Sequence, residues 1–302
     1  MRSEGAPAYL SPMVRRYLET WRVPGFRNPK PVVAVLRLSG VIGQGPSPLR
    51  PGLTVAALNT PIEAAFRIKR LKAVALAINS PGGAAAQSSL ILKRIRALAD
   101  EHDVPVFAFA EDVAASGGYM LACAADEIFA DETSIIGSIG VVSAGFGFPG
   151  LLRRLGIERR LHTAGEKKGI LDPFSPERPE EVELLKSLQR DVHDSFKDIV
   201  RERRAGKLKG DEDALFNGEF WTGRRALELG LIDGIGELTA VMKERFGDKV
   251  RFRPVGPRQS WLKRKLGAAW PASGSASSHA GAFAQDLLAV IEERALWGRF
   301  GL

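Results

Sequence analysis

The chain has 302 residues, 45% of them hydrophobic and 26% charged, which excludes a mostly disordered chain, a collagen-like repeat and a disulfide-rich scaffold. Its one cysteine, Cys123, is most simply a small core residue, and with no cysteine cluster and no zinc-like histidine spacing we expect neither a metal nor a cofactor. The net charge of +8 does not indicate a nucleic-acid partner, because no basic stripe interleaved with aromatic residues accompanies it.

The positive charge lies at the two ends of the chain. Residues 1–31 form a basic segment with a short amphipathic helix at 9–22, and residues 251–302 form a basic linker followed by an amphipathic helix at 282–300. Such ends favour either peripheral contact with an anionic membrane surface or simple solvation. Because the chain shows no secretory leader and no apolar run of about 18 residues, we expect a cytoplasmic protein without a transmembrane segment.

Residues 32–250 form the central domain, in which short apolar runs typical of buried strands alternate with amphipathic segments typical of helices. Strands are predicted at 31–43, 73–79, 104–110 and, as a short pair, within 126–142. Helices are predicted at 60–70, 84–100, 116–123, 179–206 and 222–230. This alternation indicates an α/β fold with parallel strands, whose functional loops lie at the carboxyl ends of the strands.

Two glycine-bearing turns follow predicted strands. In the segment AINSPGG, residues 77–83, the backbone N–H groups of the glycine pair can hold a phosphate or an oxyanion, although a simple tight turn also explains the pair. At the next strand-to-helix turn, Ser116 is flanked by small residues, as in a nucleophile elbow, but without the G-x-S-x-G pattern. The alternative role of Ser116 is a helix N-cap.

A nucleophilic serine needs a base, and none of the four histidines has a suggestive context. They are His102, His162, His193 and His279. The segment HTAGEKKGILDPF, which begins at His162, also contains Lys167 and Lys168. A lysine can act as a base when its surroundings favour the neutral amine, whereas an ordinary surface lysine is only a solvated charge.

Five segments, in this order and at these spacings, resemble the signal peptide peptidase A family of Ser–Lys proteases, including its shorter SohB-type relatives. They are AINSPGG, AASGGY, GSIGVV, TAGEKK and FWTGRRALELGLIDGIG. The resemblance covers roughly residues 32–240 and implies that residues 32–250 are a catalytic domain. It also implies a crotonase/Clp-like α/β fold of repeated strand-strand-helix units, assembled as an oligomer.

The resemblance assigns roles by position within these motifs. The nucleophile of the family falls on Ser116 and its general base on Lys168, with Lys167 as the alternative. The oxyanion hole falls on the backbone N–H groups of Gly83 and Gly117. For the first of these donors, Gly82 is a substitute.

Two further residues match supporting positions of the family. Ser138 matches a residue that hydrogen-bonds the catalytic lysine, and Thr163 can share that role. Two departures stand beside them: Gly169 follows the lysine where the family often has an acidic residue or serine, and the chain lacks the N-terminal transmembrane anchor of the membrane-bound members.

The activity implied is that of a serine endopeptidase that cleaves signal-peptide remnants, membrane-protein fragments or other unfolded peptides. Relatives form rings in which serine and lysine come from adjoining protomers, so a homo-oligomer with sites at its interfaces is expected. Two alternatives remain open. One is a catalytically silent membrane-associated scaffold, and the other is an acyl-CoA enzyme of the crotonase superfamily, with Glu111 or Asp112 as its carboxylate.

Overall fold

The computed structural model describes residues 30–44, 52–256 and 294–301. The helix predicted at 9–22 lies outside the described residues, as does most of the one predicted at 282–300, of which residues 294–298 are helical. The strands are β1 (Val32–Ser39), β2 (Leu71–Ser80), β3 (Val106–Ala115), β4 (Glu127–Ala130), β5 (Ile135–Gly137), β6 (Phe220–Thr222), β7 (Gly234–Ile235) and β8 (Arg251–Val255). The helices are α1 (Val55–Phe66), α2 (Ala85–His102), α3 (Gly117–Ala122), α4 (Pro149–Arg154), α5 (Pro179–Arg203), α6 (Glu212–Leu215), α7 (Gly223–Glu228) and α8 (Leu238–Phe246).

The strands form one eight-stranded sheet, in which β6, β5, β3, β2, β1 and β8 lie side by side. All pairs are parallel except β5 with β6. The long β3 pairs with β4 along its first half and with β5 along its second half, so that Ala115 lies opposite Gly137. The predicted α/β class is confirmed, and this fork in the sheet brings the end of β3 beside the end of β5.

Apolar side chains cover both faces of the sheet. On one face, α1, α2 and α3 bury residues at helical spacing, among them Ile91 and Ile95 of α2, against the central strands. On the other face, Met242 of α8 packs on the aromatic side chains of Phe107, Phe109 and Phe129. The core therefore surrounds the strands whose carboxyl ends carry the predicted motifs.

Two strand boundaries differ from the expectation. β3 continues to Ala115, although the sequence predicts its end at residue 110. The polar pair Glu111 and Asp112 resembles a loop in sequence, but Glu111 pairs with Arg37 and Asp112 accepts a hydrogen bond from Asn79. Partners on β1 and β2 thus pair with these carboxylates across the sheet. The sheet also extends past the predicted boundary at residue 250, because β8 pairs with β1.

Residues 141–192, which we call the arm, project from the rest of the molecule, which we call the body. The arm contains α4, an irregular stretch and the first half of α5. Phe148 stacks on Phe174 with ring centroids 5.6 Å apart, and Arg159 lies over the same Phe174 ring. The C-terminal part of α5 packs on the body through the buried side chains of Phe196 and Val200. The arm is therefore held together by its own contacts.

Candidate active site

Ser116 lies at the turn between β3 and α3, half-buried, with φ 53° and ψ −122°. Its N–H donates to the carbonyl of Gly137 at 2.8 Å, and its own carbonyl accepts from the Met120 N–H at 3.0 Å. A left-handed φ is costly for a serine and persists where the surrounding structure enforces it. The side chain makes no capping hydrogen bond to α3, so the N-cap alternative has no support in the geometry.

The glycine loop lies directly against this turn. A Cβ on Gly82 would approach within 2.8 Å of the Cβ of Ser116, and a Cβ on Gly83 would overlap the carbonyl oxygen of Ile42. Both glycines have positive φ, +106° and +140°. Only glycine therefore fits this close passage of the backbone beside Ser116.

Two backbone donors converge here. A Cβ on Gly117 would lie 3.4 Å from the nitrogen of Gly83, so the two N–H groups are neighbours. Neither of them has a hydrogen-bond acceptor among the described residues, whereas the Gly82 N–H donates to Ser80 Oγ at 3.3 Å. Free, adjacent N–H groups beside a hydroxyl can stabilise an oxyanion.

The hydroxyl of Ser80 connects the glycine loop to the turn that follows β1 through two hydrogen bonds. Its side chain is fully buried, and its hydroxyl donates to the carbonyl of Gly40 at 2.7 Å while accepting from Gly82. Sequence reasoning gave Ser80 no role of its own, although the residue lies within the AINSPGG segment. Only the contact with Gly40, remote in sequence, reveals that role.

Ser138 follows Gly137 at the end of β5, where β5 runs beside the last residues of β3. It too has a left-handed φ of 53°, and its N–H donates to the carbonyl of Glu219 at 2.7 Å. The residue is 5% exposed, and its hydroxyl has no partner among the described residues. The fold thus places two serines with constrained backbones at the ends of adjacent strands.

Lys168 and Thr163 lie in the arm, in an exposed stretch without helix or strand. The Lys168 N–H donates to the carbonyl of Gly165 at 3.1 Å, and the Thr163 hydroxyl is 3.5 Å from the same oxygen. Within the described ranges, no ion pair or hydrogen bond engages the Lys168 amine, and none links this stretch to Ser116. Lys167 lines a small cavity with Glu180 and Glu181 of α5.

Local packing explains why a glycine, Gly169, follows Lys168 in this chain. A Cβ at this position would come within 2.8 Å of Leu161 Cδ2, so the glycine allows Leu161 to pack against the lysine stretch.

Cys123 and Tyr119 anchor the helix that follows Ser116. Both are fully buried, and Tyr119 Oη donates to the carbonyl of Leu231 at 2.7 Å. Burial raises the pKa of the Cys123 thiol to about 12, although the nearby Arg204 opposes the shift. Cys123 is therefore an inert core residue, as predicted.

Glu111 and Asp112 face a different cavity of about 590 Å³, which also includes Phe109 and Phe300. Neither Ser116 nor Gly83 is among the described residues that line it. The carboxylates that an acyl-CoA enzyme would use thus line a cavity whose described lining includes neither Gly83 nor Gly117. Among the described residues, no group of three or more histidine, cysteine, aspartate or glutamate side chains is arranged to hold a metal ion. Across the same residues, no helix has the length and apolarity needed to cross a membrane.

Comparison with known proteins identifies the family to which the chain belongs. The model of peptidase family S49 matches residues 99–249. The chain is 34% identical to the chloroplastic serine protease SPPA of Arabidopsis thaliana, over 73% of this chain and 33% of that protein. It is 50% identical, over 97% of this chain and 41% of the relative, to proteins named Na(+)/H(+) antiporter NhaA in Brucella melitensis and Brucella abortus.

The chain thus spans well under half of the length of each of these relatives. The family match includes the Ser116 turn, the Ser138 turn and the lysine stretch. The resemblance to signal peptide peptidase A and SohB proteases is therefore confirmed, and the chain belongs to peptidase family S49.

Proposed function

We propose that this chain is a serine endopeptidase in which Ser116 is the nucleophile and Lys168 is the general base. The observation that carries the proposal is the Ser116 turn itself. A half-buried serine without a capping bond stands in a strained conformation beside two N–H groups that have no acceptor within the described part of the chain. This arrangement suits attack on a carbonyl whose oxygen is then stabilised by Gly83 and Gly117.

The reaction follows from these groups. The neutral amine of Lys168 accepts the proton of Ser116 Oγ as that oxygen attacks the peptide carbonyl. The N–H groups of Gly83 and Gly117 stabilise the tetrahedral oxyanion, and the Lys168 ammonium then protonates the leaving amine. Water, activated by the same lysine, hydrolyses the acyl-enzyme. Ser138 and Thr163 supply hydroxyl groups that orient the lysine amine.

The lysine reaches the serine, in our proposal, across an interface between two copies of the chain. The arm carries Lys168 and exposes apolar side chains such as Phe146, Leu155 and Ile157, which are 77%, 61% and 54% accessible. Surfaces of this kind are typical of protein contacts. A homo-oligomeric ring in which each arm docks on the next body would bury them and place the lysine beside a neighbour's Ser116.

Peptide substrates follow from this assembly. A site enclosed between protomers admits extended or unfolded chains, so we propose signal-peptide remnants, membrane-protein fragments and other unfolded peptides. We place the enzyme in the cytoplasm, with its basic ends in peripheral contact with an anionic membrane surface. Ion transport, named for the Brucella relatives, is not proposed, because the family whose model matches this chain is a peptidase family.

The test compares the wild type with Ser116→Ala, Lys168→Ala and, as the matched control, Lys167→Ala. Cleavage of casein and of a fluorogenic hydrophobic peptide is measured, with the assembly mass recorded for each variant. We expect the first two variants to lose activity by a factor of 10³ or more, on the order of the loss of a catalytic residue, while the control retains it. Activity that survives in Lys168→Ala but not in Lys167→Ala would move the base to Lys167.

Mixing the two inactive variants tests the interface. If serine and lysine come from different copies, a mixture of Ser116→Ala and Lys168→Ala protomers contains some intact sites and regains part of the activity. A mixture that stays inactive after confirmed subunit exchange would place both residues in one chain. An assembled wild type that cleaves nothing would instead favour the silent scaffold.

The pH profile gives an independent check. Only a neutral amine accepts a proton, so kcat/KM should rise with pH. An optimum below about pH 6 contradicts a lysine base.

A further inference from the structure

At the base of the arm, a side-chain hydrogen bond joins the segment that leaves the body to the helix that returns to it. The chain leaves the body just after Ile139 and returns to it along α5. There, Nε2 of His193 lies 3.0 Å from the carbonyl oxygen of Ile139, 54 residues away in sequence. Because a carbonyl can only accept, His193 Nε2 is the donor, and both the neutral Nε2–H tautomer and the imidazolium can make this bond.

Among the described residues, His193 also makes the first side-chain hydrogen bond from α5 to the body. Within the described ranges, the side-chain hydrogen bonds and ion pairs of residues 141–192 join arm residues to one another. From His193 onward α5 meets the body, first through Ile139 and then through the buried Phe196 and Val200. His193 therefore stands at the point where the direction of the arm is set.

The hydrogen bond between His193 and Ile139 is also close in sequence to residues that bond the Ser116 turn. Ile139 is fully buried and follows Ser138, whose N–H is bonded to Glu219. Gly137, one residue earlier, accepts the hydrogen bond from the Ser116 N–H. Three consecutive residues thus connect the histidine of α5 to the backbone of the nucleophile.

We propose that His193 is a positioning residue that clamps the arm to the end of β5, fixing the arm in the orientation that its lysine needs. The proposal rests on the function proposed above, in which the arm delivers Lys168. His193 touches no reacting atom. Its effect is exerted through Ile139 at one end and α5 at the other.

The test uses His193→Ala, which removes the donor, and His193→Gln, whose side-chain amide restores an N–H. Arg190→Ala is the matched control, an exposed residue of the same helix one turn earlier. We expect kcat to fall about three- to tenfold in His193→Ala with KM little changed, as for loss of one hydrogen bond, and to recover in His193→Gln. Arg190→Ala should match the wild type.

Hydrogen exchange separates failure of this proposal from failure of the proposed function. In His193→Ala, the helical amides of residues 184–193 in α5 should exchange faster than in the wild type, and His193→Gln should restore protection. This readout needs no activity, so it decides the clamp even if the wild type cleaves nothing. Unchanged exchange in His193→Ala, or faster exchange with unchanged kcat in an active enzyme, would overturn the proposal.

Discussion

The body and the arm of this molecule use apolar side chains in opposite ways. The body buries its large hydrophobic residues in two clusters against the sheet. Of the fifteen large hydrophobic side chains that are exposed among the described residues, twelve lie in the arm. The two regions also divide the candidate site, since Ser116 and its glycine loop belong to the body while Lys168 belongs to the arm.

This difference indicates two sources of stability. Burial within one chain stabilises the body, and with it the serine, the glycine loop and Ser138. The arm cannot bury its apolar surface alone and gains from contact with another surface. In the function proposed above, the nucleophile is preformed in the body and the base arrives through association of the arm with a neighbour, so matched changes in the two regions test that proposal.

Among the matched changes that compare body and arm, the largest effect is expected for Gly83→Ala. A methyl group there would overlap the Ile42 carbonyl, so the glycine loop must move and the Gly83 N–H must leave its position. Loss of one oxyanion donor lowers kcat about 10²- to 10³-fold. Peptide cleavage measures the effect.

The matched change in the arm is Gly156→Ala. Gly156 also has a positive φ, +66°, but a Cβ there meets no atom within 4 Å. It should cost about 1 kcal/mol of stability from backbone strain and leave kcat unchanged. Equal losses of activity in the two variants would mean that backbone strain, and not the oxyanion donor, explains Gly83→Ala.

The next effect concerns a buried ion pair of the body. Asp233 accepts hydrogen bonds from Arg204 at 2.6 Å and from the Ile128 N–H at 2.8 Å, and it pairs with Lys207. Burial raises the pKa of Asp233, but the hydrogen bonds from Arg204, Lys207 and Ile128 outweigh it and hold that pKa below its usual range. Asp233→Asn leaves the guanidinium of Arg204, 2% exposed, without its counter-charge.

We expect Asp233→Asn to lower the free energy of unfolding by about 3 kcal/mol at neutral pH. The folded-state pKa lies below the unfolded value of about 3.9, so the ionised carboxylate stabilises the fold above that pH. This stabilisation is lost as pH falls through the folded-state pKa. Urea unfolding at pH 7 and pH 3 should show a large difference from wild type at the first and a smaller one at the second. A difference that grows in acid would contradict this assignment.

A smaller effect is expected for Ser80→Ala, which leaves the Gly40 carbonyl and the Gly82 N–H unpaired in the interior. The free energy of unfolding should fall by about 1–2 kcal/mol, and kcat should fall as the glycine loop loosens. Ser175→Ala is the control in the arm, where the hydroxyl donates to Asp172 near the surface, and we expect at most about 0.5 kcal/mol. Thermal unfolding and peptide cleavage provide the two measurements. A Ser80→Ala variant with wild-type kcat would show that Ser80 supports the fold only.

The sequence was sufficient for the parts of this site that depend on short segments. The strand-to-helix turn at Ser116 and the glycine pair at residues 82–83 are local patterns, because small residues and a positive φ are needed within a few positions. The α/β class followed in the same way from alternating apolar runs. The roles of Ser116 and Lys168 in catalysis stay predictions.

What the sequence missed depends on partners far along the chain. The end of β3 was predicted too early, since nothing local shows that Arg37 and Asn79 pair with Glu111 and Asp112. His193 has no suggestive context in the sequence, and only the fold brings it to Ile139. Contacts between residues so far apart in sequence depend on the packing of the whole sheet, so patterns within a few positions do not predict them.

The smallest effect on protomer stability, and the sharpest test of the arm, is expected for Phe146→Asp. Phe146 is 77% exposed, so replacing it removes almost no buried surface within one chain and should change the free energy of unfolding of the protomer by less than about 0.5 kcal/mol.

If the arm docks on a neighbour, the charge of Asp in the Phe146→Asp variant must be desolvated at that contact, and the assembly should dissociate at higher concentrations than the wild type. Phe146→Leu, which keeps an apolar side chain, should retain the assembly. Light scattering across a dilution series measures this, with peptide cleavage alongside. A Phe146→Asp protein that assembles and cleaves like the wild type would show that this face of the arm stays in solvent, and the lysine would then need another route to Ser116.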